Sequence, residues 1–184
     1  MKIALIGASG YVGGALLKEA AGRGHAVTAI VRNPAKVAEQ AGVTAIKADV
    51  TDAKALADLL KGHDVVVSAF NGGWGDPDIY TKHMAGSKAI AAAAEAAGVR
   101  LVEIGAARDA LTELQKGDWK DWTLVSPAIT LAPGQRTGKY RLSLDNPVFD
   151  AKGESHISVE DFAVAVLDEA ETPKHFGERF TVGY

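Results

Sequence analysis

The chain has 184 residues, with 20 lysines and arginines against 23 aspartates and glutamates, a net charge of −3 and no cysteine. Without a basic excess the composition argues against a nucleic-acid surface, and without cysteine it excludes disulfides, thiolate metal sites and cysteine nucleophiles. We expect one domain over 1–184, with a small substrate-side portion at about 127–184. No apolar run approaches the ~18 residues of a membrane span, so we expect a cytoplasmic protein without a membrane partner.

Strand and helix patterns alternate along the chain. Apolar runs predict strands at 3–6, 26–31, 43–47, 64–69, 100–104, 122–125 and 179–182. Helical spacing predicts helices at 12–20, from Pro34 to about 40, from a cap at 51 or 52 to 60, at 79–97, at 107–116 and from 159 to before Pro173. The predicted N-terminal caps are Asn33 with Pro34, Thr51 or Asp52, Asp76 with Pro77, and Ser158. This alternation predicts an α/β, Rossmann-like, doubly wound parallel sheet flanked by helices.

Three glycines stand where the first strand passes into the first helix. Gly7 allows a tight turn, Gly10 lets backbone N–H groups approach a phosphate, and Gly13 lets the helix pack on the strand. The spacing G-x-x-G-x-x-G is one residue longer than the dinucleotide fingerprint, so the flanking strand and helix carry the weight. We predict that residues of this turn hold a dinucleotide: Gly7, Ser9, Gly10, Tyr11, Val12 and Gly13.

The end of the second strand bears on which dinucleotide is bound. NAD-binding folds usually place a carboxylate there to accept from the ribose 2′-OH, whereas this chain has Arg32, followed by Lys36. A guanidinium suits a 2′-phosphate, so we expect NADP(H) to be preferred over NAD(H). An arginine at a strand end is also ordinary surface chemistry.

Further candidate residues follow the third and fourth strands. Asp49 and Val50 lie where an adenine ring would rest, although Asp49 could instead cap a helix. The segment 69–71, which comprises Ala69, Phe70 and Asn71, leaves the fourth strand at the sheet edge where doubly wound folds bind ligands. Beyond it, Trp74 and Tyr80 would offer aromatic surfaces to a flat substrate, or would only cover the core.

Several segments together resemble atypical short-chain dehydrogenase/reductases, and in particular the NmrA-like and biliverdin-reductase-B-like NAD(P)H-binding proteins. The matching segments are KIALIGASGYVGG at 2–14, IVRNP at 30–34, KADV at 47–50, NGGWGDPDIY at 71–80, SPA at 126–128, RTGKYR at 136–141, ISVEDF at 157–162 and RFTVGY at 179–184. The resemblance implies that Gly7 to Gly13 and Arg32 contact the dinucleotide. It further implies that Asp49 and Val50 contact the adenine, Asn71 its neighbourhood, and Pro127 with Ala128 the nicotinamide end.

Two departures limit what the resemblance implies. Short-chain dehydrogenases commonly use Tyr-x-x-x-Lys to relay a proton, and none of the four tyrosines here is followed by that lysine. The strand ending at Ile104 also runs almost directly into a helical pattern, where the family has a long loop. Either the protein is truly shorter at this point, or the printed sequence omits a disordered loop that lies between Gly105 and Ala106.

We therefore expect an NADP(H)-dependent reductase of a planar acceptor such as a flavin, a quinone or a tetrapyrrole. The proton would come from solvent or the substrate, with Tyr80 as a second choice of catalytic residue. The alternative is a non-catalytic NADP(H) sensor; an epimerase is disfavoured by the short C-terminal portion. The five histidines lack metal-site spacing, so no metal is expected, and the alanine-rich helix 79–97 could form a homodimer face.

Overall fold

The computed structural model describes residues 1–105 and 108–184 as ten strands and five α-helices. The strands are β1 Lys2–Ile6, β2 Ala26–Val31, β3 Val43–Lys47, β4 Val65–Ser68, β5 Arg100–Ile104, β6 Trp122–Pro127, β7 Thr130–Ala132, β8 Arg141–Ser143, β9 His156–Ser158 and β10 Glu178–Gly183. The α-helices are α1 Tyr11–Gly22, α2 Ala53–Leu60, α3 Ile79–Ala97, α4 Arg108–Leu114 and α5 Val159–Glu171. Within the described ranges, none of these helices is both long and apolar enough to cross a membrane. The cytoplasmic location stays a prediction.

Eight strands form the main sheet in the order β3-β2-β1-β4-β5-β6-β10-β8. All its neighbouring strands are parallel except β8, which pairs antiparallel with β10 at one edge. The prediction of a doubly wound α/β fold is confirmed, and the antiparallel edge strand is an addition to it. Strands β7 and β9 form a separate parallel pair.

Alternation along each strand divides the core into two layers. In β1, Ile3 and Leu5 pack with α1 and α5, whereas Ala4 and Ile6 pack with α2 and α3. Because helices cover both faces of the parallel sheet, its central strands are apolar on both sides, as in β4, whose four residues are all buried.

Side chains that cap the N-terminus explain where α5 and α2 begin. The Ser158 hydroxyl accepts a hydrogen bond from Asp161 N at 3.0 Å and begins α5. Of the two caps considered for α2, Asp52 is the one used, because its carboxylate accepts from Ala55 N at 3.0 Å. The strand predicted at 179–182 is confirmed as β10.

The predicted helix from Pro34 to about residue 40 is wrong. Asn33 does cap the segment by accepting from Ala35 N at 3.1 Å, but only one 3₁₀ turn forms, over Pro34–Lys36. Val37 is already extended, with φ −93° and ψ 123°, so the helix does not propagate. A segment this short lacks the apolar stripe that stabilises most protein helices.

Asp76 and Pro77 do not cap α3. The helix begins at Ile79 after Asp78, and the Asp76 carboxylate instead accepts from Asp78 N and from Lys82. Helix α4 spans Arg108–Leu114, shorter than the predicted 107–116, and the first residue of that prediction lies outside the described residues. The three-residue strands β7, β8 and β9 were not predicted.

A buried carboxylate organises the C-terminal region. Asp161 on α5 accepts from the backbone N–H groups of Thr137 and Gly138 at 2.8 and 2.7 Å, and from the hydroxyls of Thr137 and Tyr184 at 2.6 and 2.7 Å. These four hydrogen bonds join an irregular segment, the last residue and α5. Burial raises the pKa of Asp161, but the hydrogen bonds from Thr137 and Tyr184 outweigh it and lower the pKa overall.

A buried ion pair joins β5 to α5. Arg100 Nη2 lies 2.8 Å from Glu169 Oε1, and both side chains are less than a tenth exposed. The same nitrogen donates to the Thr123 hydroxyl at 2.6 Å, while Glu169 also accepts from the backbone and ring nitrogens of His175. The mutual attraction of Arg100 and Glu169 and these hydrogen bonds offset the desolvation penalty of placing two charges between the sheet and the helix.

Candidate functional site

The candidate site lies where the strand order reverses, between β1 and β4. From this point the connections lead to β2 and β3 on one side and to β5 and β6 on the other, which opens a crevice at the carboxyl ends of the strands. The turn after β1 and the segment after β4 meet there. A Cβ atom added to Gly7 would lie 2.6 Å from the carbonyl oxygen of Ala69.

The glycine turn is shaped by contacts between backbone atoms. Gly7 has φ +80°, a conformation that L residues rarely adopt, and its N–H donates to Ile30 O at 3.1 Å. A Cβ on Gly13 would lie 2.0 Å from Gly7 O, whereas a Cβ on Gly10 would lie 3.3 Å from the same atom. Gly7 and Gly13 therefore allow the close packing of strand, turn and helix, while Gly10 lies at the exposed rim.

The start of α1 points the partial positive charge of its helix dipole into the crevice. Gly10 precedes the helix without a side-chain cap, and the first turn contains no acidic residue. The first backbone N–H groups of a helix have no acceptor within it, so those of Tyr11, Val12 and Gly13 suit an anion. Ser9 and Tyr11 are exposed beside this turn.

Arg32 follows β2 on the open side of the same crevice. It is exposed and forms no ion pair with any other residue that the structure describes. Lys36 closes the 3₁₀ turn and is exposed as well. A hydrogen bond to Asp76 raises the pKa of Lys82, and Arg32 is near enough for its charge to oppose that effect. The sequence analysis missed Lys82, although its place in the first turn of the helix after β4 could have indicated it.

Asp49 and Val50 both follow β3, but Asp49 is exposed whereas Val50 is half-buried. Asp49 is exposed, and its carboxylate accepts from the backbone N–H and the hydroxyl of Thr51 at 2.9 and 2.7 Å, which lowers its pKa. Asp49 therefore shapes the turn before α2. The helix itself is capped by Asp52 and not by Asp49. Val50 is half-buried against the core layer that contains α2 and α3.

In the segment 69–71 after β4, the backbone borders the crevice, whereas the Phe70 side chain packs on α3. Ala69 N donates to Ile6 O at 3.0 Å and so continues the pairing of β4 with β1. The Phe70 ring is stacked parallel to His83 and lies over Gly86 of α3, where a Cβ would come within 2.1 Å of the ring. Asn71 Oδ1 accepts from Gly73 N at 2.9 Å. Phe70 therefore contributes to core packing, and its backbone rather than its ring borders the crevice.

Trp74 and Tyr80 are exposed, at 87% and 57%, so neither covers the core. The Tyr80 hydroxyl donates a hydrogen bond to Asp109 of α4. That hydrogen bond raises the pKa of the phenol, and the negative charge of Asp109 acts in the same direction. A phenol that already donates its proton to a carboxylate is poorly prepared to donate it to a substrate.

The carboxyl ends of β5 and β6 complete the crevice. The Ser126 hydroxyl donates to Gly105 O at 2.7 Å, which ties the two strand ends together. Pro127 ends β6 half-buried, and Ala128 follows it in the core. The suspected missing loop after Gly105 falls on residues 106–107, which lie outside the described residues.

This architecture and this turn agree with a known family. Residues 7–119, more than half of the chain, match the family described as NAD(P)H-binding. The chain belongs to the NAD(P)H-binding family. The NAD(P)H-binding family that the resemblance named is thereby confirmed, and the family is oxidoreductase-like in kind.

A relative of known sequence aligns with nearly the whole of this chain. The uncharacterized protein YwnB of Bacillus subtilis is 39% identical over 213 aligned positions, which cover 99% of this chain and 98% of YwnB. Since 213 positions exceed the 184 residues here, YwnB contains segments with no counterpart in this chain.

Two solved structures have the same fold. A Bacteroides thetaiotaomicron protein provisionally described as an epimerase is 38% identical, with 100% of this chain and 96% of that one covered and a TM-score of 0.85. A Streptococcus pneumoniae protein provisionally described as an NADH-flavin reductase is 30% identical, with 100% and 99% covered and a TM-score of 0.86.

Proposed function

We propose that the chain is an NADP(H)-dependent reductase that acts on a planar acceptor such as a flavin, a quinone or a tetrapyrrole. The observation that carries this proposal is a glycine cradle built from backbone atoms beside an arginine without an ion pair among the described residues. The flavin reductase description of the Streptococcus relative supports the class of acceptor, although its name specifies NADH.

The proposal assigns the chain's residues to binding and positioning. The N–H groups at the start of α1 would hold the pyrophosphate, and Arg32 with Lys36 would meet a 2′-phosphate. Backbone of the segment 69–71 would border the ribose, and Pro127 with Ala128 the nicotinamide end. A nicotinamide coenzyme held by these residues would provide hydride chemistry toward an acceptor bound beside it.

An aromatic acceptor would find exposed partners at the rim. Trp74 and Tyr80 lie on the loop and the first helical turn after β4, and both offer ring faces for stacking. Because Tyr80 donates its proton to Asp109, we assign proton supply to solvent or to the acceptor itself and Tyr80 to substrate contact.

Arg32→Ala tests the coenzyme preference. We expect NADPH affinity to fall by roughly 10- to 150-fold, because a charge-assisted contact is worth about 1.5–3 kcal/mol, while NADH affinity stays nearly unchanged. Calorimetric titration of both reduced coenzymes measures the effect. Lys54→Ala, which removes a cation of α2, is the matched control and should bind both as the wild type does. An equal loss for the two coenzymes with Arg32→Ala would refute the assignment.

Turnover with acceptors tests the reaction. NADPH oxidation is followed at its absorbance maximum with flavins, quinones and tetrapyrroles, and we expect turnover with at least one of these classes. Tight NADPH binding without turnover across the panel would favour a coenzyme sensor. The same result together with conversion of a sugar nucleotide would favour an epimerase, the description given to the Bacteroides relative.

A further inference from the structure

A second cavity lies between α3, α4 and the end of β5. It measures about 280 Å³ and shares no lining residue with the glycine turn or the segment 69–71. The buried Glu103 of β5 lines it, together with the sides of both helices. It is therefore distinct from the proposed coenzyme crevice.

Glu103 is a charged residue with unused hydrogen-bonding capacity. Its side chain is 2% exposed, and Oε1 accepts a hydrogen bond from the Ser87 hydroxyl of α3. Oε2 is buried and has no partner among the residues that the structure describes. A buried carboxylate oxygen without a donor is unfavourable, so the site gains from a ligand that supplies one.

Charges around the cavity favour a cation over an anion. Glu95 of α3 and Glu113 of α4 line it with Glu103, and the cations are Lys88 and Lys116. Lys116 donates to Glu113, so that pair is already neutralised. Of the remaining charges, Glu103 is the buried one, and an anion would approach it unfavourably.

The remaining walls are apolar. They are formed by methyl and ring groups, which include those of Ala91, Ala110, Leu114 and Trp119. A bare divalent cation would need several oxygen ligands, and among the lining residues Glu103 is the one buried carboxylate. A single cationic head attached to a compact hydrocarbon body fits both parts of the cavity, the head at Glu103 and the body against the apolar walls.

We propose that this cavity binds a small organic ammonium compound, whose N–H groups donate to Glu103 and whose hydrocarbon part lies against the alanines and Trp119. Such a ligand satisfies Oε2 and compensates the buried charge. The site is independent of the coenzyme.

Binding of isobutylammonium chloride tests the proposal. At pH 8 we expect calorimetric binding and NMR shifts of the Ser87, Ala91 and Ala110 amides, whereas isobutanol and isobutyrate should bind at least about tenfold more weakly. Glu103→Gln should lose about tenfold or more in affinity. Glu39→Gln, which removes an exposed carboxylate elsewhere, should bind as the wild type does. Ala92→Leu narrows the mouth from an exposed position and should also weaken binding.

The pH dependence of ligand binding is a second and independent test of the proposal. Burial raises the pKa of Glu103 to about 7, partly offset by the Ser87 hydrogen bond, so the carboxyl is ionised at pH 8 and largely neutral at pH 5.5. Binding should therefore weaken about tenfold or more at pH 5.5, and at pH 7 it should release about half a proton per ligand bound, because about half of the carboxyls are protonated there. Absence of wild-type binding at pH 8, equal affinity for isobutanol, or equal affinity in Glu103→Gln would overturn the proposal.

Discussion

Replacing Gly13 by alanine is expected to reduce dinucleotide affinity by about tenfold or more and to destabilise the fold by about 1–3 kcal/mol. The new Cβ would lie 2.0 Å from Gly7 O and 2.7 Å from Gly7 C, so either the turn or α1 must move. Neither backbone atom can yield as a flexible side chain would. Titration with NADPH and thermal unfolding of the free protein measure the two effects.

Gly14→Ala is the matched control. Its Cβ would meet no atom closer than Ala8 O at 3.9 Å, although the substitution is the same and lies on the next residue of the same helix. We expect unchanged affinity and a stability gain of up to about 1 kcal/mol, because alanine is the better helix former. If the two variants bound NADPH equally well, the glycine turn would not be the coenzyme site.

Replacing Glu169 by alanine is expected to lower the free energy of unfolding by about 3–5 kcal/mol. The substitution leaves the guanidinium of Arg100 buried without its carboxylate, and it also removes the acceptor for His175 N and Lys174 N. Attraction is then lost while the desolvation penalty of Arg100 persists. Urea unfolding monitored by circular dichroism measures the change.

Asp121→Ala removes the other carboxylate of Arg100 and serves as the control. Asp121 Oδ1 lies 3.2 Å from Arg100 Nη1, but its side chain is 46% exposed. An exposed ion pair contributes about 0–1 kcal/mol, so we expect only a small change. Similar losses in the two variants would show that burial does not decide the strength of this network.

The elements that were predicted correctly carry strong local signals. Ser158 caps α5 through its own side chain, and β4 is buried throughout and begins with three valines because helices cover both faces of the sheet. The glycine turn combines a strand, a fixed spacing and a helix start within a few residues. Such features are fixed by neighbours in the chain, so they can be recognised without the fold.

The features that were missed depend on distant partners. Strands β7 and β9 have three residues each and pair across more than twenty positions, so neither shows a periodicity of its own. The segment after Pro34 contains good helix formers, but Val37 packs against the core with an extended backbone, so tertiary context prevails over propensity there. Phe70 was predicted to lie beside the coenzyme as part of the segment 69–71, and only the close approach of its ring to Gly86 shows that the ring packs on α3.

Two buried charged residues on one strand also escaped the sequence analysis. Arg100 and Glu103 stand in the apolar run of β5, and charges within a fully covered strand are a detectable signal. What the sequence did not reveal was their partners, since Glu169 and Ser87 come from different helices on opposite faces of the sheet.

The close approaches that a Cβ on Gly7 or Gly13 would make are to main-chain atoms. The side chains of Ser9 and Tyr11 are exposed and take no part in these contacts, so we expect other side chains at these positions to leave the geometry of the loop unchanged. Sequence searches that weight glycine spacing and the preceding strand will find distant homologues that side-chain identity overlooks. Under the proposed function, the coenzyme preference depends on the exposed positions after β2, so it can be changed there without altering the loop itself.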